Sequence, residues 1–258
     1  MRTFCFTVDD NIRFFKEITE NRLESIFQHP YLLMYKRLHE KYSVKVQLNL
    51  FYKMEDFDLS RMPDAYMWEF VENSDWLKLS FHSDFENVRP YEASGYSEVY
   101  TDCKKVHDQI LRFASRPALA KTTTVHYCRA TQEGLRALSD NGVVGLLGLF
   151  GDEKSPRTSY ELCDTDAALI RRGELVCRNG ISFASIDIVL NRFSPESILN
   201  QLKALNGREG IRVMIHEQYF YQDYKSYQPN FEEKLETAFS FFKECGYKSA
   251  FFEDLLSK

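Results

Sequence analysis

Seven strand-like apolar segments recur along the chain with amphipathic helical stretches between them, and that alternation admits little beyond βα units around a mainly parallel sheet or barrel. The segments are RTFCFTVDD from Arg2, VKVQLNLFY from Val44, WLKLSFH from Trp76, KTTTVHYC from Lys121, GVVGLLGLFG from Gly142, IRVMIHEQYF from Ile211 and KSAFFED from Lys248. In YLLMYKRLHEKY, Tyr31, Met34, Tyr35, Leu38 and Tyr42 share one helical face, and in SEVYTDCKKVHDQILRF the stripe is Val99, Cys103, Val106, Ile110 and Phe113. The last helix is expected to start on an Asn230–Glu233 capping pair, to carry Phe231, Leu235, Ala238, Phe239 and Phe242 inward, and to end at Gly246. Residues 151–188 break the rhythm: Arg171-Arg172-Gly173 and Arg178-Asn179-Gly180 punctuate short β-like runs, which predicts a β-hairpin insertion near one end of the barrel. With no repeat, low-complexity tract or linker, residues 1–258 read as a single barrel domain.

Strand parity says where the chemistry lies. Successive side chains point to opposite faces of a strand, so Lys45, Gln47 and Asn49 separate from Val44, Val46, Leu48 and Leu50. The same split gives Thr3, Cys5, Thr7 and Asp9; Lys78, Ser80 and His82; Thr122, Thr124 and His126; and Arg212, Met214 and His216. If the apolar class faces the helices, the polar class points inward and ends, strand after strand, in Asp or His. That end is the C-terminal rim, where barrels of this type keep their active sites.

Composition narrows the function. A net charge of −5 without a long basic run gives no nucleic-acid footprint. No apolar run approaches the roughly 18 residues a membrane-spanning helix needs. The six cysteines form no C-x-x-C pair and no secretory leader opens the chain, so the expectation is a soluble, reduced, cytoplasmic protein.

The adjacent carboxylates Asp9 and Asp10 raise each other's cost of ionisation unless a cation sits beside one of them or one holds a proton. Asp9-Asp10, His82, His126 and His216 all end strand-like segments, and Glu86 follows His82 by four residues, a spacing that on a helical turn lets both ligate one ion together with Asp10. Against this stand plainer readings: a helix-capping strand end for the Asp pair, a core histidine for His216, and core positions for Trp68 and Trp76. Tyr219, Tyr221, Tyr224 and Tyr227, with Glu217, read equally as a sugar-stacking rim or as a loop covering the barrel mouth.

Taken in order, these segments resemble the polysaccharide deacetylases of the carbohydrate esterase type, a distorted (β/α) barrel of seven to eight strands. TVDDN resembles that family's first motif, which implies Asp9 as base and Asp10 as metal ligand. His82-Ser83-Asp84-Phe85-Glu86 resembles the H-[ST]-x-x-H motif with Glu86 in place of the second His, which implies Asp10, His82 and Glu86 as the ligand set. Met214-Ile215-His216 resembles the late L-x-H motif and implies His216 as general acid. The R-x-P motif has no match. His126 and Arg129, in HYCRA at about that place, become substrate contacts or, for His126, a ligand, and Glu217 and Tyr219 join them at the substrate side.

The implied activity is a metal-dependent hydrolase that removes an acetyl group from a small or oligomeric carbohydrate by cleaving a non-peptide C–N or ester bond. A set of two carboxylates and one imidazole neutralises a divalent ion, which moves preference from zinc toward a harder ion such as manganese. Two other classes fit the residues: a glycoside hydrolase pairing Asp9 with Glu217 or Glu86, and a catalytically idle barrel that binds a sugar or a protein.

Overall fold

Strands and helices alternate as the hydrophobic periods require in the computed structural model, which describes residues 1–86, 91–151, 154 and 158–256. The strands are β1 (Thr3–Asn11), β2 (Val46–Met54), β3 (Phe57–Asp58), β4 (Leu77–Phe85), β5 (Thr122–Thr123), β6 (Gly145–Gly148), β7 (Val176–Arg178), β8 (Ile181–Ser185), β9 (Ile188–Val189), β10 (Gly210–His216) and β11 (Lys248–Ser249). The helices are α1 (Arg13–Asn21), α2 (Pro30–Tyr42), α3 (Met67–Glu72), α4 (Tyr96–Phe113), α5 (Ser115–Ala118), α6 (Gln132–Asp140), α7 (Asp164–Arg171), α8 (Pro195–Leu205) and α9 (Phe231–Glu244). No described helix is long and apolar enough to cross a membrane.

The strands form two mainly parallel arcs. One runs β3-β2-β1-β10-β9, with β4 also paired to β2 and β11 to β1; the other runs β5-β6-β8-β7. They meet where the Ala120 N–H donates to the Leu79 carbonyl at 2.8 Å and where the chain passes from β8 into β9. The result is a mixed α/β, barrel-like body. Val8, Val46, Leu48, Leu50, Leu77 and Leu79 are buried in one core with the helix stripes Tyr31, Met34, Tyr35 and Leu38 of α2 and Val99, Cys103, Val106 and Ile110 of α4. The opposite strand faces hold a polar interior: Gln47 Nε2 donates to Asn49 Oδ1 and to the Thr122 carbonyl, both at 2.8 Å, and Ser80 Oγ donates to the same carbonyl at 2.8 Å.

Several expectations change. The KTTTVHYC segment is strand for only Thr122–Thr123 and then turns, with His126–Cys128 in a 3₁₀ turn. Asn230 precedes α9 but its side chain makes no cap bond, because its backbone (φ −93°, ψ 23°) lacks the extended conformation that aims a cap side chain at the helix. The hairpin expected within 151–188 exists as β7–β8, turning at Asn179-Gly180 with φ of 51° and 80°. It is not wholly an insertion, since β8 pairs in parallel with β6 and so belongs to the arc. Residues 152, 153 and 155–157 of that stretch lie outside the described residues. Trp76 is core, whereas Trp68 is 62% exposed on α3.

Candidate metal and catalytic site

Two irregularities in the strands build the rim. Opposite Asn49, β1 carries an extra residue: the β1–β2 register jumps between Val8 and Asn11, and Asp10 lies at φ 64°. In an unbroken strand Asp9 and Asp10 would face opposite sides; the bulge re-aims Asp10 so that both line one cavity. Aspartate is among the few residue types that adopt this left-handed conformation at modest cost. The β2–β4 register jumps in the same way between Phe81 and Ser83, at His82.

Asp10, His82 and His126 converge. His82 Nε2 lies 3.0 Å from Asp10 Oδ1, His126 Nδ1 lies 3.4 Å from the same oxygen, and the two ring nitrogens are 3.1 Å apart. Each outward-facing polar atom is anchored: His82 Nδ1 donates to the Thr124 carbonyl (2.5 Å), His126 Nε2 to the Glu86 carbonyl (2.9 Å), and Asp10 Oδ2 accepts from Gln218 Nε2 (2.7 Å). Carbonyls only accept, so in the neutral rings those bonds put the protons on the outer nitrogens and leave lone pairs on the convergent ones, while a ring that takes up a second proton can donate it to Asp10. Lone pairs about 3 Å apart repel unless a proton or a cation lies between them. Donors at 2.0–2.1 Å from a common ion stand roughly 2.9–3.4 Å apart in octahedral or tetrahedral sites, which the observed spacings match. Among the described residues these three are the group of His, Cys, Asp and Glu side chains whose ligand atoms all lie within 4.8 Å of one another.

The charges agree. Burial raises the Asp10 carboxyl's pKa, but the bonds from His126 and His82 outweigh it and hold the group well below the usual carboxylate range. Burial pushes Asp9 the other way, above the ordinary range, against the pull of His82 and His216 and of Asn49, whose Nδ2 donates to Asp9 Oδ1 at 2.7 Å. Neighbours in sequence are thus driven apart in proton affinity, the arrangement expected where one carboxylate stays ionised and the other exchanges a proton. His82 is raised even though burial lowers it, because Asp9 and Asp10 favour a positive charge there.

His216 ends β10, paired in register with Asp9 on β1. Its Nδ1 lies 2.8 Å from Asn191 Oδ1, which fixes the ring and leaves Nε2 for the cavity. Asp9, Asp10, His82, His126 and His216 line a cavity of about 300 Å³, with Glu86 and Tyr219 also in its wall.

Glu86 is not gathered with Asp10 and His82. Residues 82–85 are strand, where a spacing of four spans about 13 Å instead of one helical turn, and the contact Glu86 makes with the cluster is through its carbonyl. His126 joins Asp10 and His82 instead. Glu217, unlike Glu86, does not line the cavity. Its Oε2 accepts from the N–H groups of Ile12 (2.7 Å) and Arg13 (3.0 Å), its Oε1 from Phe14 N–H (2.8 Å) and Tyr221 Oη (2.9 Å). It caps α1 from a distant loop. Arg129 points away to pair with Glu92 at 3.7 Å. Sequence reasoning missed Asn191, Arg192 and Gln218, which sit in turns after β9 and β10 and carry no periodic signal; Asn49 was legible as an inward-facing polar residue of β2.

No protein-family model matches the sequence, and no curated protein does. Solved structures do. A CE4 family pseudoenzyme from Bacillus anthracis matches with a TM-score of 0.54 and 14% identity, over 99% of this chain and 66% of that one. A family 4 acetyl xylan esterase from Clostridium thermocellum, in complex with a cobalt ion, matches with a TM-score of 0.53 and 14% identity, over 99% and 91%. This chain has the CE4 deacetylase fold. The CE4-like body also matches a 4-alpha-glucanotransferase from Thermococcus litoralis, with a TM-score of 0.63 and 13% identity over 100% of this chain and 41% of that one.

Proposed function

We propose that the protein is a metal-dependent hydrolase that removes an acyl group from a carbohydrate. The observation that carries this reading is the convergence of Asp10 Oδ1 from β1, His82 Nε2 from β4 and His126 Nδ1 from the turn after β5, with every outer polar atom of the three anchored. A divalent ion held by these residues would supply Lewis-acid polarisation of an acyl carbonyl and of a water. One carboxylate and two imidazoles carry a charge of −1, so the ion would keep a net +1. That removes the argument for a hard ion, and nitrogen donors suit zinc at least as well as manganese.

The chain's own residues supply the proton transfers. Asp9, buried beside the ligands, accepts the proton of the attacking water while Asn49 holds its carboxylate in place. His216, oriented through Nδ1 by Asn191, presents Nε2 to protonate the departing amine or alkoxide. Tyr219 and Tyr224, in the cavity wall, offer aromatic faces to a sugar ring.

The test is elemental analysis of protein dialysed against zinc and then buffer, with Asp10→Ala, His82→Ala and His126→Ala beside it, together with acetate release from acetylated xylan and chito-oligosaccharides. Metal bound by the parent protein alone and acetate released only by the metal-loaded form are the expected results. Equal metal content in all four proteins would overturn the site. The likeness to the glucanotransferase favours a second reading, glycoside cleavage, in which Glu86, raised by burial and by the nearby Asp10 charge, would pair with Asp9. Sugar-chain cleavage that survives chelation and disappears with Glu86→Gln is what that reading requires.

A further inference from the structure

We propose that Arg192 and the groove beside it form a recognition subsite for an acidic substituent on the sugar, a carboxylate or a phosphate; this rests on the reading of the adjoining cavity as the place of chemistry. Arg192 lines that cavity, where the Asp, Glu, Lys and Arg residues of the wall other than Arg192 itself are Asp9, Asp10 and Glu86, all acidic. Its exposed side chain has no hydrogen bond or ion pair among the described residues. Asp187, nearby in the groove, is already engaged by Arg208 Nη1 at 3.0 Å and by the Arg212 N–H at 2.8 Å. To a neutral sugar, a guanidinium on the wall it shares with these carboxylates offers only ordinary hydrogen bonds to hydroxyls. For an anion it provides a planar fork of donors and offsets the repulsion those carboxylates exert.

Position and rigidity agree with that role. A second cavity of about 360 Å³ shares Leu149 and Arg192 with the first and continues along Ile188, Val189, Phe193 and Gln201. Arg192 therefore stands where a substrate with its acyl group in the first cavity would extend into the second. It ends the 3₁₀ turn Leu190–Arg192, whose middle residue Asn191 is held on both sides: its carbonyl accepts from Gln228 Nε2 at 2.8 Å and its Oδ1 meets His216. The base of the side chain is thus fixed relative to the proposed proton donor.

The experiment is calorimetric titration with three sugars that differ only at C6: N-acetylglucosamine, its 6-phosphate, and its C6 carboxylate. The parent protein, Arg192→Lys and Arg192→Met are each titrated zinc-loaded and after stripping with a chelator. The parent is expected to bind one or both acidic sugars ~10- to 100-fold more tightly than the neutral one, in both states. Arg192→Met is expected to erase that preference with the neutral sugar unchanged, and Arg192→Lys to keep part of it; which acid is preferred identifies the substituent. Equal affinities for all three sugars, equal weakening of all three by Arg192→Met, or a preference that vanishes on stripping would overturn the subsite. Zinc content of the same samples reports separately on Asp10, His82 and His126, so a protein that binds no zinc but keeps the anion preference would sink the metal reading alone.

Discussion

At the scale of single residues, Asp9 and Asp10 coexist because their surroundings treat them differently. Asp10, which accepts from Gln218 and lies against His82 and His126, is held ionised, and Asp9 is buried and pushed toward protonation. The two should therefore fail differently. Asp9→Asn, which keeps the size and can still bond to Asn49, is expected to keep the metal and lose ~10²–10⁴-fold in kcat, measured as acetate release beside metal content. His126→Ala is expected to lower metal affinity by 10–100-fold or more while Glu86→Gln leaves it unchanged, because the carbonyl of Glu86, not its carboxylate, touches the cluster. A metal lost with Glu86→Gln would restore the two-carboxylate set and refute the geometry. Asn191 acts through His216 as a positioning residue. Asn191→Ala should cost ~10–100-fold in kcat with KM little changed, since the ring of His216 loses the partner that orients it.

At the scale of elements, the rim depends on where β1 stops and α1 begins, and that junction is secured by Glu217 from the turn after β10. Its carboxylate, buried to 1% exposure, takes three N–H groups at the start of a helix that has no side-chain cap of its own. Glu217→Ala would leave those donors buried without partners, an expected loss of about 2–4 kcal/mol in denaturant unfolding, with Glu217→Gln losing less. A change below half a kcal/mol would mean that solvent replaces the carboxylate. The same junction explains which parts of the site could be read in advance. Asp9, His82 and His216 follow from parity, because a strand with one apolar face has only one place to put its polar face, and the barrel supplies the common rim. His126 was visible as the end of such a series, yet its grouping with Asp10 and His82 depends on β5 stopping after two residues, which no periodicity encodes. Glu86 was misread because a spacing of four has different reach on a helix and on a strand. Glu217 was misread because the groups it serves lie some two hundred residues earlier in the chain. Asn191 and Arg192 left no trace, since turns are placed by what the strands on either side must do.

For the whole molecule, pH acts through groups far from the rim as well as at it. His107 lies within α4 against Cys103, 3.7 Å from its sulfur, in the layer between that helix and the core. Burial, reinforced by the Arg116 charge, lowers its pKa from 6.5 to about 4. The unfolded chain therefore binds a proton between those two values that the folded chain refuses. This contribution to stability is complete above pH 6.5 and drains away as the pH falls toward 4, to a total of about 3 kcal/mol. Asp9, Glu86, Asp187 and Glu217 run the opposite way, because carboxyls raised by burial take up protons more readily when folded and so favour the folded state as the pH falls through the same region. The raw stability curve thus mixes two slopes of opposite sign, and only a difference isolates the histidine. Denaturant unfolding of the parent protein and of His107→Gln at pH 7.5, 6.0, 5.0 and 4.5 is expected to show the parent losing ground steadily relative to the variant below pH 6.5. Parallel curves over that range would mean that the imidazole is protonated in the native fold and that α4 does not seal it from water.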